Sequence, residues 1–233
     1  MDYTVLCCDD DEDILAAVQI YLRQEGYQVL LARNGVEAVD TVAREQVHLV
    51  LLDVMMPLMD GIAAAVRIRE ASNVPIIFLS AKSEDADRIL GLTMGGDDYI
   101  TKPFKPAELL ARVKAALRRY ARLGGLPGVQ ADGVHSTGGL ELDDNRKRVT
   151  VDGEEVTLTA LEYAILRLLI TNLDRVFSSA QIYEAVWGEP AFNVAKTVSV
   201  HVRHLRQKIE IDPKEPQYLK VIYGLGYRLV RQS

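Results

Sequence analysis

The chain has little that would cross-link it and nothing that would hold it in a bilayer. Its only cysteines are Cys7 and Cys8, side by side in an apolar run. Adjacent cysteines in a strand rarely bridge one another, so a disulfide framework is excluded and the pair reads as small buried hydrophobes. No apolar run approaches the ~18 residues that a membrane-spanning helix needs. The N-terminus lacks the basic-then-apolar pattern of an export signal, which makes the cytoplasm the expected compartment and a membrane partner unexpected. Internal repeats and low-complexity tracts are also missing. What is present is ordinary for a globular protein: 233 residues, 48% hydrophobic and 26% charged. That length suits two domains, each able to bury a core.

Charge divides unevenly along the chain. Residues 1–120 carry 19 acidic and 13 basic side chains, whereas residues 121–233 carry 14 of each. The first half as a whole cannot be a nucleic-acid surface. The second can, if its cations cluster.

Apolar runs "YTVLCC", "YQVLLA", "HLVLLD", "VPIIFLS" and "DDYITK" recur through the first half. Helical patterns such as "EDILAAVQIYLRQEG" and "NGVEAVDTVAREQ" lie between them. Short strands alternating with helices predict parallel βαβ units in a doubly wound α/β sheet, with five strands and five helices in residues 2–120. "GGLPGVQADGVHSTGG" then breaks the pattern with six glycines and a proline, so residues 121–136 read as a linker. Residues 137–233 form the second domain. Asp152-Gly153 between two alternating runs predicts a hairpin. Thr159 with Glu162 three residues on predicts a capped helix. Two further helices follow, "SSAQIYEAVWG" and "AKTVSVHVRHLRQKIE", and "YLKVIYGLGYRLV" closes as two short strands.

The polar residues at the ends of the first-half strands are the chemical signal. Asp9 and Asp10 follow the first strand, Asp53 ends the third, Ser80 ends the fourth and Lys102 ends the fifth. Taken singly, an Asp at a strand end is a turn residue or a helix cap. As a set, these ends converge on one edge of a parallel sheet. Three carboxylates there repel one another, and a hard divalent cation such as Mg²⁺ relieves that repulsion. A lysine and a hydroxyl beside them make a cradle for a phosphoryl group, and a carboxylate can itself attack phosphorus.

These motifs resemble a known family. "CCDDDEDI", "LLDVMMPLMDGI", "IIFLSAK" and "DDYITKPF", in this order, are similar to the receiver signatures of two-component response regulators, OmpR/PhoB subfamily. "TALEYAILRLL", "AVWG", "TVSVHVRHLRQKI" and "VIYGLGYRLV" resemble that subfamily's winged helix-turn-helix. The resemblance implies a five-stranded flavodoxin-like receiver followed by an α+β DNA-binding domain. It implies that Asp53 accepts a phosphoryl group from a sensor histidine kinase. Mg²⁺ would be held by Asp10, Asp53 and the carbonyl of Met55, with Asp9 acting through the metal's water. Ser80 and Lys102 would bind the phosphoryl oxygens, Ser80 and Tyr99 would switch, and the Lys102–Pro103 bond is often cis. A symmetric homodimer would pair Arg88 with Glu108, Asp98 with Arg112, and Asp97 with Arg119, each pair used twice. Promoter DNA and RNA polymerase are the implied output partners.

Residues 195–208 hold Lys196, Arg203, Arg206, Lys208, His201 and His204 and no acid. Val198, Val202, Leu205 and Ile209 share one helical face, which predicts a core side. Lys196, Thr197, Ser199, Val200, Arg203, His204 and Arg206 are the expected DNA contacts. The resemblance departs at Tyr223, where many members carry arginine before the first wing glycine. Two rival functions stand beside this reading. A phosphatase or phosphotransferase would use the same nucleophile, but Met55 stands where a second Asp would serve as its acid or base. A regulator that dimerises without phosphorylation would not need the strand-end set.

Overall fold

In a computed structural model, residues 3–81, 95–123, 133–188, 190–191 and 194–232 are described. The chain divides into two compact units, Met1–Tyr120 and Ala121–Ser233.

The first unit has strands β1 Thr4–Cys8, β2 Gln28–Ala32, β3 Leu49–Asp53, β4 Ile76–Ala81 and β5 Asp98–Lys102. Helices α1 Glu12–Gln24, α2 Gly35–Arg44, α3 Gly61–Ala71 and α4 Pro106–Leu123 accompany them. All strand pairings are parallel, in the order β2-β1-β3-β4-β5. Strands β1 and β3 are almost entirely buried because helices cover both faces. The two-residue period sorts their side chains. Val5, Cys7, Leu49, Leu51, Ile77, Leu79 and Ile100 pack with Leu15, Val18 and Leu22 of α1 and Leu109 and Val113 of α4. Leu6, Cys8, Val50, Leu52, Ile76 and Phe78 pack on the other face with Ala38, Ala64, Ala65 and Ile68 of α2 and α3. Asp11, Asn34 and Asp60 cap α1, α2 and α3, each accepting backbone N–H bonds from its helix. A further helix was expected within residues 84–92, which lie outside the described residues.

The second unit opens with an antiparallel sheet of β6 Val134–Thr137, β7 Leu140–Asp143, β8 Arg148–Val151 and β9 Glu154–Glu155. Asp152 and Gly153 turn the β8–β9 hairpin with φ of 51° and 85°, as expected of a tight two-residue loop. Helices α5 Ala160–Ile170, α6 Ser179–Trp187 and α7 Ala195–Ile209 follow, then the hairpin β10 Leu219–Ile222 and β11 Gly226–Leu229. Thr159 and Glu162 form a reciprocal capping box on α5, as do Ser178 and Gln181 on α6. Buried Asp144 joins the sheet to α5. It accepts from Tyr163 Oη at 2.7 Å, Lys147 Nζ at 2.6 Å and Arg167 Nε at 3.0 Å.

The expected linker, residues 121–136, is corrected at both ends. Residues 121–123 complete α4, and 134–136 lie in β6, paired with β7. The surrounding glycines hide a four-residue strand whose alternation is too short to stand out.

Candidate functional site

The parallel register brings the carboxyl ends of β1, β3, β4 and β5 to one edge of the sheet, where the chain order reverses between β1 and β3. Asp9, Asp10 and Asp53 each offer a carboxylate oxygen there, all within 4.8 Å of one another. Asp9 is fully buried and Asp53 is 4% exposed, while Asp10 faces solvent. Lys102 Nζ sits 2.6 Å from Asp9 Oδ2 and 2.6 Å from Asp53 Oδ1. The second Asp53 oxygen accepts the Met55 N–H at 3.0 Å. Met55 itself is exposed.

Electrostatics follow from this packing. Burial raises the Asp53 pKa, Lys102 works against that rise, and the Asp9 charge adds to it. Burial pulls Lys102 down, but its hydrogen bonds to Asp53 and Asp9 outweigh that, so its pKa rises. One ammonium among three carboxylates leaves the cluster anionic. Converging hard oxygens with surplus negative charge fit a divalent cation such as Mg²⁺.

Local sequence explains the placement. Gly61 opens α3 directly against β3. A Cβ there would lie 2.0 Å from the Asp53 carbonyl oxygen, so no larger residue permits the approach. Ser80, aligned beside Thr101 of β5, is 5% exposed, and its Oγ is buried without a hydrogen-bond partner. A strand-end hydroxyl in that condition is suited to an incoming oxygen. Tyr99 is half-buried on β5, opposite Phe78. The Lys102–Pro103 peptide is cis.

Four of the expected dimer residues, Asp97, Asp98, Glu108 and Arg112, are engaged within one chain. Asp98 accepts from Arg112 Nη1 at 2.9 and 3.1 Å, and Arg112 Nε lies 3.6 Å from Glu108. Asp97 is buried and accepts from Arg69 at 2.6 Å and from the Ile76 N–H at 2.8 Å. Burial raises the Asp97 pKa, and the Arg69 and Arg119 charges oppose that rise. Arg88 lies outside the described residues. The Arg69 contacts were invisible in the sequence, because they link residues 28 apart that no motif connects.

In α7, Val198, Val202, Leu205 and Ile209 are buried as expected, and Lys196, Ser199, Arg203 and Gln207 form an exposed stripe. His204 is partly exposed beside it. Three expected contacts need correction. Thr197 and Val200 are only 5% and 8% exposed, since the buried face is wider than one row of valines. Arg206 donates through Nε and Nη2 to the Leu219 carbonyl at 2.9 and 2.6 Å, so it ties α7 to β10. Glu210, which no motif singled out, accepts from the N–H groups of Gln217, Tyr218 and Leu219.

Comparison with known proteins agrees with both halves. Residues 5–114 match the family described as the response regulator receiver domain, and residues 153–229 match the transcriptional regulatory protein C-terminal family. The chain is 44% identical over 229 residues to the Bacillus subtilis transcriptional regulatory protein YrkP, covering 98% of each. It is 37% identical to the regulatory protein VanR of Enterococcus faecium, covering 98% of this chain and 99% of that one. Among solved structures it resembles response regulator DrrB, an OmpR/PhoB homologue from Thermotoga maritima, at 32% identity and TM-score 0.51, covering 99% and 100% of the two chains. With a receiver sheet, a helix-bearing output unit and relatives of this kind matched end to end, the chain belongs to the two-component response regulators of the OmpR/PhoB type, DNA-binding transcriptional regulators.

Proposed function

We propose that Asp53 is the phospho-acceptor through which a partner histidine kinase controls promoter binding by this regulator. The observation that carries the reading is the Asp9–Lys102–Asp53 arrangement, with an orphaned Ser80 hydroxyl at the neighbouring strand end. An Asp53 carboxylate oxygen attacks the phosphorus of a phosphohistidine in line. The O–P bond forms as the P–N bond breaks, and the electron pair leaves on the imidazole nitrogen, which takes up a proton. Lys102 and Ser80 bind the transferred oxygens. Asp10, Asp53 and the Met55 carbonyl would hold Mg²⁺, with Asp9 acting through a water, and the bound ion would supply charge neutralisation for the phosphoryl group. No turnover substrate is implied beyond this self-modification.

Tyr99 follows Ser80 inward on phosphorylation, and the face bearing Asp97, Asp98, Glu108, Arg112 and Arg119, with Arg88, becomes a homodimer surface. Asp98 and Arg112 then exchange their bond within the chain for the equivalent bond across the two-fold axis. Lys196, Ser199, Arg203 and His204 meet double-stranded promoter DNA, where RNA polymerase is the downstream partner. The cytoplasm, which holds that DNA, is the compartment.

The test is incubation with Mg²⁺ and acetyl phosphate, read by intact mass and size-exclusion chromatography, with Asp53→Ala alongside. A single-phosphate gain that vanishes in the variant, with a shift to dimer, is the expected result. A gain that survives in Asp53→Ala, or no gain in the unaltered chain, overturns it.

A further inference from the structure

Sulfur is concentrated beside Asp53. Three of the chain's five methionines, Met55, Met56 and Met59, fall within five residues of the segment that joins β3 to α3. Met1 and Met94 lie outside the described residues. Both cysteines close β1 next to that segment. Cys8 Sγ lies 3.4 Å from Met56 Sδ and 3.2 Å from the Asn34 carbonyl oxygen. These sulfurs differ in what can reach and attack them. The two thiols are fully buried, and burial keeps them protonated. A thioether has no proton to lose before it is oxidised, so exposure decides which methionine meets an oxidant. Met55 is 71% exposed, and Met56 and Met59 are partly exposed.

Met55 and Met56 stand in different surroundings. The Met55 side chain is mostly in solvent, so an oxygen added to its sulfur disturbs little packing. Met56 packs against the apolar cluster that contains Leu6, Cys8, Leu52 and Val54. A sulfoxide is polar and chiral, and it would need a hydrogen-bond donor that this cluster does not offer. The segment that Met56 holds is also strained. The Met59 N–H donates to the Pro57 carbonyl at 2.8 Å, across Leu58 with φ of 66°. A leucine in that conformation persists only where its surroundings hold it. Backbone bonds fix the segment at its ends, from the Val54 N–H to the Leu79 carbonyl and from the Gly61 N–H to the Val54 carbonyl. Between those ends it carries the Met55 N–H that bonds Asp53 at 3.0 Å.

We propose that Met56 is an oxidation site that disables the Asp53 centre: hydrogen peroxide converts its thioether to a sulfoxide, and the segment withdraws the Met55 N–H from Asp53. In that step the O–O bond of the peroxide breaks. One oxygen joins the sulfur, which is oxidised, and the other leaves as water. Met55, being more exposed, is oxidised first and without effect. Methionine sulfoxide reductases return the thioether. Phosphorylation then requires a reduced centre as well as a phosphodonor. That consequence rests on the Asp53 reading above, whereas the oxidation and the movement of the segment do not.

The experiment treats the full chain with graded hydrogen peroxide, locates sulfoxides by peptide mass and divides each sample between two readouts. One is phosphoryl uptake from acetyl phosphate with Mg²⁺. The other is hydrogen exchange over residues 54–60, which needs no phosphorylation. Met56→Leu, a swap of similar volume, goes through the same series, and each protein is compared with its own untreated form. Uptake by the parent should slow roughly tenfold as Met56 sulfoxide accumulates, the scale expected when a group that orients a site is displaced. Exchange at the Met55 amide should rise in step, and sulfoxide reductases should reverse both changes. Oxidised Met56→Leu should match its untreated form in both readouts. Unchanged uptake and exchange with Met56 oxidised would overturn the proposal, as would a loss that follows Met55 instead or one that is equal in Met56→Leu. Melting is measured on every sample, and global unfolding of the oxidised parent would likewise overturn a local effect. If the untreated chain takes up no phosphate but exchange still rises with Met56 oxidation, the Asp53 reading falls and the oxidation site stands.

Discussion

Lys102 does two jobs that pull in different directions. It neutralises Asp9 and Asp53 in the chain as it stands, and in the proposed transfer it would have to release them to meet a phosphoryl group. Removing its ammonium leaves two buried carboxylates facing one another, and breaking a buried pair costs about 3 to 5 kcal/mol. Lys102→Ala should therefore lower Tm markedly in chelator. Added Mg²⁺ should raise Tm more in the variant than in the parent, because an ion bound only by the folded state stabilises it by mass action. Calorimetry with and without Mg²⁺ measures this, and equal shifts in both proteins would show the ammonium and the metal site to be uncoupled. At the end of β1, directly before Asp9, the same burial silences chemistry. Burial pushes the Cys8 thiol up to about 12, with the Glu37, Asp9 and Asp53 charges adding to the rise, and Cys7 moves in the same direction. Almost no thiolate exists at pH 8, so iodoacetamide should leave both cysteines of the native chain unmodified and label both in denaturant. Labelling of the native chain would contradict the packing of β1.

Element by element, periodicity carried the reading and distant partnerships escaped it. The two-residue alternation of β1, β3 and β4 and the valine row of α7 are written locally, so the sheet, the strand-end acids and the buried side of α7 were all visible in order. Arg206 was not, since its partner carbonyl lies 13 residues on, in a strand whose position only the fold decides. Val200 was misplaced for a related reason: a helix seated on two neighbours buries more than one stripe. The distinction between Arg203 and Arg206 can be measured. Arg203→Gln removes an exposed cation and should lower the salt slope of DNA binding by about 1 with Tm unchanged. Arg206→Gln removes charge-assisted bonds to Leu219 and should cost about 1 to 3 kcal/mol of stability, seen by denaturant titration. A slope change for Arg206→Gln with full stability would return it to the list of direct phosphate contacts.

For the whole molecule, the decisive fact is that each unit encloses its own apolar core. Leu166, Leu169, Trp187 and Leu205 belong to the cluster of the second unit, while Leu51, Ile77 and Leu109 belong to the first. In the proposed function, phosphoryl chemistry uses the edge of one sheet and DNA binding uses α7 of the other unit. Damage to one core should therefore spare the other unit's function. Leu166→Ala deletes a fully buried side chain and should cost the second unit about 2 to 5 kcal/mol. In the full chain it should lower one calorimetric transition, weaken DNA binding by depleting folded output unit, and leave acetyl phosphate uptake at Asp53 unchanged. Leu51→Ala, equally buried on β3 two residues before Asp53, should lower the other transition and slow that uptake. Division of function along the chain then follows from division of the hydrophobic core, and a single transition displaced equally by both substitutions would show instead that the units fold as one.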